Sequence, residues 1–180
     1  MNLADIQQAL GQEGLDGWLF YDFRQSNPIA YQILGLDQQA FYSRRWFYFV
    51  PAQGTPAALV SAVEAHVLRD LPGQQLIFTT WQEMREHLAL VLTKGTRVAM
   101  EYSPLNAIPY IARVDAGTVE LVCSYGVEVV SSANISQRFI AQLSAEQIEG
   151  HREAGQRLIA AKDLLFAQLG DDLRQDLPLD

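Results

Sequence analysis

Two short segments hold the residue types that could do chemistry. Tyr21-Asp22-Phe23-Arg24-Gln25-Ser26-Asn27-Pro28 follows an aromatic run, Trp18-Leu19-Phe20-Tyr21, which reads as a buried strand. Polar residues just past a strand end lie where α/β folds place ligand loops. Tyr42-Ser43-Arg44-Arg45-Trp46 sets two guanidinium groups among aromatics. That composition suits recognition of a carboxylate, or an interface. Spacing alone favours the other account, a charge pair on an edge strand with its stems packed on Trp46.

Other chemistries lack a pattern. His66, His87 and His151 lie far apart, with no His-x-x-x-His or His-Glu-x-x-His spacing and no cysteine cluster, so zinc has no local support. His87, beside Glu83 and Glu86, is expected on a solvated helix face. Asp171 and Asp172 read as a solvated linker, and Cys123 as a buried structural thiol. Neither a Gly-rich phosphate loop nor a Gly-x-Ser-x-Gly elbow is present. Taken alone, the chain does not read as a complete enzyme.

The elements that must position these segments alternate. Leu3, Ile6 and Leu10 predict a first helix, closed in the Gly11–Gly14 region. After the strand at 18–21, Pro28 opens a second helix carrying Ile29, Ile33 and Leu36. Two β-prone stretches, 46–50 and 57–61, flank a Pro/Gly-rich turn and predict a hairpin. A strand at 76–79 precedes a helix over 80–93, with a Thr80/Glu83 capping box and an apolar stripe of Trp81, Met84, Leu88 and Val91. Strands at 97–101 and 127–130 follow, separated by a helical region that opens at Ser103-Pro104, breaks at Gly117 and ends at Gly126. A short helix spans about 135–143. The order argues for a mixed α/β sandwich of about six strands.

Composition narrows the class. The 180 residues are 49% hydrophobic and 19% charged, with a formal charge of −8. An acidic chain without a Lys/Arg cluster lacks the footprint for nucleic acid or a membrane surface. No run approaches 18 apolar residues, the N-terminus does not read as a signal peptide, and one cysteine excludes a disulfide scaffold. A cytoplasmic protein is the expectation. The length suits one domain of 140–150 residues plus an appendage. From Ser144, with Gln147 at capping-box spacing, a helix of some 25 residues is predicted to run to Gly170 and then meet Asp171, Asp172, Asp176 and Pro178.

Five blocks in order resemble the creatinase/prolidase amino-terminal domain, which precedes the catalytic half of Xaa-Pro aminopeptidases, prolidases and creatinase. They are Leu15 to Arg24, Ser26 to Tyr31 with Leu34-Gly35, Arg44-Arg45-Trp46-Phe47-Tyr48, Arg97 to Pro104, and Val127 to Ser132. The resemblance implies a ribonuclease-H-like α/β domain over 1–143, and a connector helix with the start of a linker over 144–180. It also implies a catalytic half, absent from this chain, with a "pita-bread" fold that binds two divalent metals (Mn, Co or Zn) through two Asp, one His and two Glu. A homodimer and a peptide substrate are the implied partners.

In creatinase, an Arg and a nearby aromatic of this domain reach the neighbouring subunit's active site and hold a substrate carboxylate. The resemblance points to Arg44 with Tyr42, and Arg45 adjoins them. Strand alternation would let only one of the two arginines face the substrate. Asp22, Arg24 and Asn27 match a loop near the active-site mouth, with no chemical role assigned. Two functions remain open: a non-catalytic domain of a dimetal Xaa-Pro peptidase, or a free-standing α/β binding or dimerisation module. The terminal helix separates them. A connector leaves its apolar stripe partly exposed, whereas a free-standing module packs it.

Overall fold

Burial of one strand on both faces organises the molecule. The computed structural model describes residues 2–175, and the chain divides into two units, Met1–Ile140 and Ala141–Asp180. The first carries helices α1 (Leu3–Glu13), α2 (Pro28–Leu34), α3 (Trp81–Val91), α4 (Ala116–Cys123) and α5 (Ala133–Ile140). Its strands are β1 (Gly17–Asp22), β2 (Trp46–Pro51), β3 (Ala57–Ser61), β4 (Gln74–Phe78), β5 (Arg97–Met100) and β6 (Glu128–Ser131). They form one mixed sheet in the order β4-β3-β2-β1-β5-β6. Only β2 runs against its neighbours; the other pairings are parallel. The expected six-stranded α/β architecture is what forms.

All six residues of β1 are buried, which explains its unbroken apolar run. Alternate side chains divide between two cores. Trp18 and Phe20 join Trp46, Tyr48 and Val50 beneath α1, α2 and α5, while Leu19 and Tyr21 join Phe47, Leu59, Val98 and Met100 beneath α3 and α4. The helix starts are chemically marked. Asn27 caps α2 through Ala30 N–H (3.1 Å), Pro28 fills its first position, and Thr80 and Glu83 form the capping box of α3.

Four expectations need correction. The region after Ser103-Pro104 makes only two 3₁₀ turns, Pro104–Asn106 and Pro109–Ile111, and the α-helix begins at Ala116, where a break was expected. Asp115, accepting from Thr118 N–H at 2.9 Å, is the cap that starts it. Cys123 is exposed, not buried, because α4 buries Thr118 and Val122 and the next position turns away. Trp81 is 61% exposed, since the first turn of α3 overhangs the sheet, where Met84 and Leu88 are buried instead. His87 flanks that buried stripe and is partly buried, with Nδ1 lacking a partner among the described residues.

The second unit consists of α6 (Ala145–Arg174), started by the Ser144/Gln147 capping box. It runs through Gly170 rather than stopping there, and none of its residues is buried. Asp176 and Pro178 lie outside the described residues.

One glycine is dictated by close approach to the main chain. Gly73, at φ +118°, enters β4, and a Cβ there would fall 2.2 Å from the Pro56 carbonyl oxygen, which accepts from Gln74 N–H. Gly54 is also left-handed, at φ +103°, but has open space around it. Gly73→Ala should therefore destabilise the domain by roughly 2–3 kcal/mol and Gly54→Ala by about 1 kcal/mol. Urea midpoints of the two variants check this, and equal losses would sink the argument.

Candidate functional site

Because β1, β5 and β6 are parallel, their C-terminal ends lie at one edge of the sheet. Asp22 ends β1, Glu101 follows β5 and Ser132 follows β6, and all three are fully buried. Glu101 joins them. Its Oε1 accepts from Trp18 Nε1 (2.7 Å) and Ser132 Oγ (3.2 Å), and its Oε2 from Asn27 Nδ2 (2.7 Å). Asn27 Nδ2 also donates to the Tyr21 carbonyl (2.9 Å). Asp22 accepts from the backbone N–H of Asn27 (2.9 Å) and Gln25 (3.0 Å) and from the Tyr31 hydroxyl (3.4 Å). Two carboxylates thus fix the 23–26 loop from below.

That loop is held in an uncommon shape. Arg24 and Gln25 both have left-handed backbones, at φ 58° and 57°, a conformation non-glycine residues adopt only when their surroundings impose it. Gln25 Nε2 donates to the Ala40 carbonyl (2.6 Å), and Phe23 is left 43% exposed. Phe23 forms a wall of two clefts.

The larger cleft, about 460 Å³, is lined by Phe23, Arg44, Arg45, Val63, Thr80 and Trp81, among others. Both arginines are exposed and precede β2, so strand alternation does not separate them. Glu64 fixes the backbone beneath them, accepting from Ser43 N–H (2.9 Å), Ser43 Oγ (2.8 Å) and Arg44 N–H (2.9 Å). Partial burial works against the Glu64 charge, but these hydrogen bonds outweigh it and hold its carboxyl below the usual range. Neither guanidinium has a carboxylate within 4.0 Å among the described residues. Two unpaired guanidinium groups beside exposed aromatic rings can take a carboxylate carrying an apolar body.

The residues singled out from the sequence are only partly brought together. Arg44 and Arg45 share the cleft. Tyr42 lines a different one, with its ring 5.8 Å from that of His66, so the aromatics beside Arg44 are Phe23 and Trp81. Asp22 and Asn27 are withdrawn into the network and shape the loop from within, whereas Arg24 stays exposed. Glu101 went unread as a site residue, although a carboxylate directly after an apolar strand is a legible signal. No three His, Cys, Asp or Glu side chains gather as metal ligands among the described residues.

Burial raises the Glu101 carboxyl to about 7, even against its three hydrogen bonds, and burial raises Asp22 as well. Between the ordinary value of 4.5 and about 7, the native state keeps a proton on Glu101 that the unfolded chain has released. Stability therefore falls as pH rises through that window, by roughly 3 kcal/mol in all, and levels off above it. Glu101→Gln should remove this slope in urea titrations at stepped pH, leaving what Asp22 contributes in the same direction. An unchanged slope would place the titration elsewhere.

No protein-family model matches the chain, and no curated protein matches it in sequence. Solved structures do. The prolidase of Thermococcus sibiricus is similar at TM-score 0.58 and 13% identity, over 94% of this chain and 43% of its own. The prolidase of Pyrococcus horikoshii gives 0.54 and 14%, over 82% and 37%. The creatinase/prolidase N-terminal domain of a Streptococcus pyogenes X-Pro dipeptidase gives 0.54 and 18%, over 75% of this chain and 95% of that domain. The chain thus spans about two fifths of the length of the two prolidases and nearly all of the isolated domain. The chain has the fold seen in these creatinase/prolidase-type structures.

Proposed function

We propose that the chain is the non-catalytic amino-terminal domain of a cytoplasmic, dimetal Xaa-Pro aminopeptidase- or prolidase-like peptidase. One observation carries the reading: it matches 95% of an isolated creatinase/prolidase N-terminal domain but well under half of two prolidases. In this reading the two divalent metals (Mn, Co or Zn) sit in a separate catalytic half. They supply the activated water and the polarised carbonyl that peptide hydrolysis needs.

The domain's own part is substrate access and subunit contact. Arg44 and Arg45 present unpaired guanidinium groups at an open cleft, where they would draw in a peptide's terminal carboxylate while Phe23 and Trp81 cover its apolar side chains. No helix among the described residues is long and apolar enough to cross a membrane.

The 180-residue chain, incubated with an Xaa-Pro dipeptide and Mn²⁺ or Co²⁺, should give no turnover, and calorimetry should detect no stoichiometric metal binding. Chelator-sensitive turnover would overturn the reading and make His66, His87 and His151 the first residues to substitute.

A further inference from the structure

A second cleft, about 300 Å³, opens on the other side of Phe23 and is lined by Tyr21, Phe23, Ser26, Ala112, Arg113, Val114 and Asp115. Its place is informative. Successive strands build outward from β1 through β2 to β4, and the chain then returns to put β5 on the opposite side of β1. The crevice beyond the C-terminal ends of two parallel strands at such a reversal is where open α/β sheets bind ligands. Tyr21 is on β1. Arg113 is tied to the end of β5, because its N–H and that of Val114 both donate to the Glu101 carbonyl (2.8 and 3.0 Å).

Arg113 is the unexplained group there. It is partly buried, and its Nε is shut off from solvent with no hydrogen-bond partner among the described residues. It makes no ion pair within 4.0 Å among them either. Asp115 lines the same cleft, but its two oxygens accept from Thr118 N–H (2.9 Å) and Thr118 Oγ1 (2.7 Å). With no carboxylate within reach, the guanidinium that lines this cleft keeps its charge free for a ligand oxyanion. The exposed Ser26 lies on the same wall, while Tyr21, Phe23 and Val114 make much of the remainder apolar.

We infer that this crevice binds a small organic carboxylate with an apolar body, held by the Arg113 fork and covered by Phe23. The planar fork selects a carboxylate, and the apolar walls select against a bare inorganic ion. The site is separate from the Arg44/Arg45 cleft and does not depend on the chain being part of a peptidase.

Titration of the isotopically labelled 180-residue chain with 3-phenylpropionate, followed by backbone amide NMR, tests this. Saturable shifts should centre on 21–26 and 112–115. The neutral amide of the same acid should bind at least about tenfold more weakly, as should the acid to Arg113→Gln, a difference of about 1.4 kcal/mol. Arg69→Gln, which removes an exposed charge elsewhere, should bind like the parent. Equal binding of acid and amide, tighter binding of inorganic phosphate, or the absence of saturable shifts would each overturn the assignment. So would shifts centred on Arg44, Arg45 and Trp81 that survive Arg113→Gln, a result that would favour the proposed substrate-access role instead. The acid-against-amide comparison uses the unaltered chain, so the test stands even where Arg113→Gln fails to fold.

Discussion

The Glu101 carboxylate, buried without a basic partner, is the contact through which the C-terminal edge of the sheet is assembled. Three donors from three places in the chain converge on it: the Trp18 indole, the Asn27 amide and the Ser132 hydroxyl. Without it the Trp18 indole N–H would be a buried donor with no partner, and Asn27 Nδ2 would keep only the Tyr21 carbonyl. Trp18 belongs to β1, Asn27 starts α2 and Ser132 precedes α5, so one side chain sets the relation of strand, helix and helix at the edge where the clefts open. An apolar residue could fill the space but could not satisfy those donors. Burial strains the charge of the group, and the hydrogen bonds answer that strain only in part.

From this anchor the arrangement spreads outward. Asn27 is held by Glu101 and caps α2 with its own oxygen. Asp22 takes the backbone N–H groups that a left-handed Arg24-Gln25 pair leaves pointing inward. The loop can then present Phe23 as a shared wall between a cleft with two exposed guanidinium groups and one with a half-hidden guanidinium. A chain that is acidic overall thus keeps unpaired positive charge at the edge where its strands end.

How much of this was legible depends on the range of the interactions involved. Period and punctuation located the strands and the capped helices, because alternation in β1 and β2 and the Thr80/Glu83 and Ser144/Gln147 boxes act within a few residues. The blocks at 15–35, 44–48, 97–104 and 127–132 pointed to the fold. Trp81 was misjudged because helical spacing says which residues share a stripe, not whether the first turn overhangs the sheet. The helix expected after Pro104 failed against backbone geometry, with Leu105 and Asn106 both left-handed, a choice no composition rule reveals. The Glu101 network was invisible for a simpler reason: its members are separated by 31 to 83 residues. Arg44 and Arg45 were found from local composition, but their neighbours Phe23 and Trp81 come from distant segments.

The strand order has a consequence for how the chain must be made. β1, β2 and β3 pair as a local meander, yet the other edge of β1 belongs to β5, and Gly17 meets Val98 only after some eighty intervening residues. During synthesis this wholly buried strand can pair one edge with β2 once that is made, but its other edge stays bare until β5 leaves the ribosome. Closing so long a loop is slow, and an open apolar edge invites pairing with another chain. The interval between the making of residue 22 and residue 100 is when a nascent copy is most in need of protection from its neighbours.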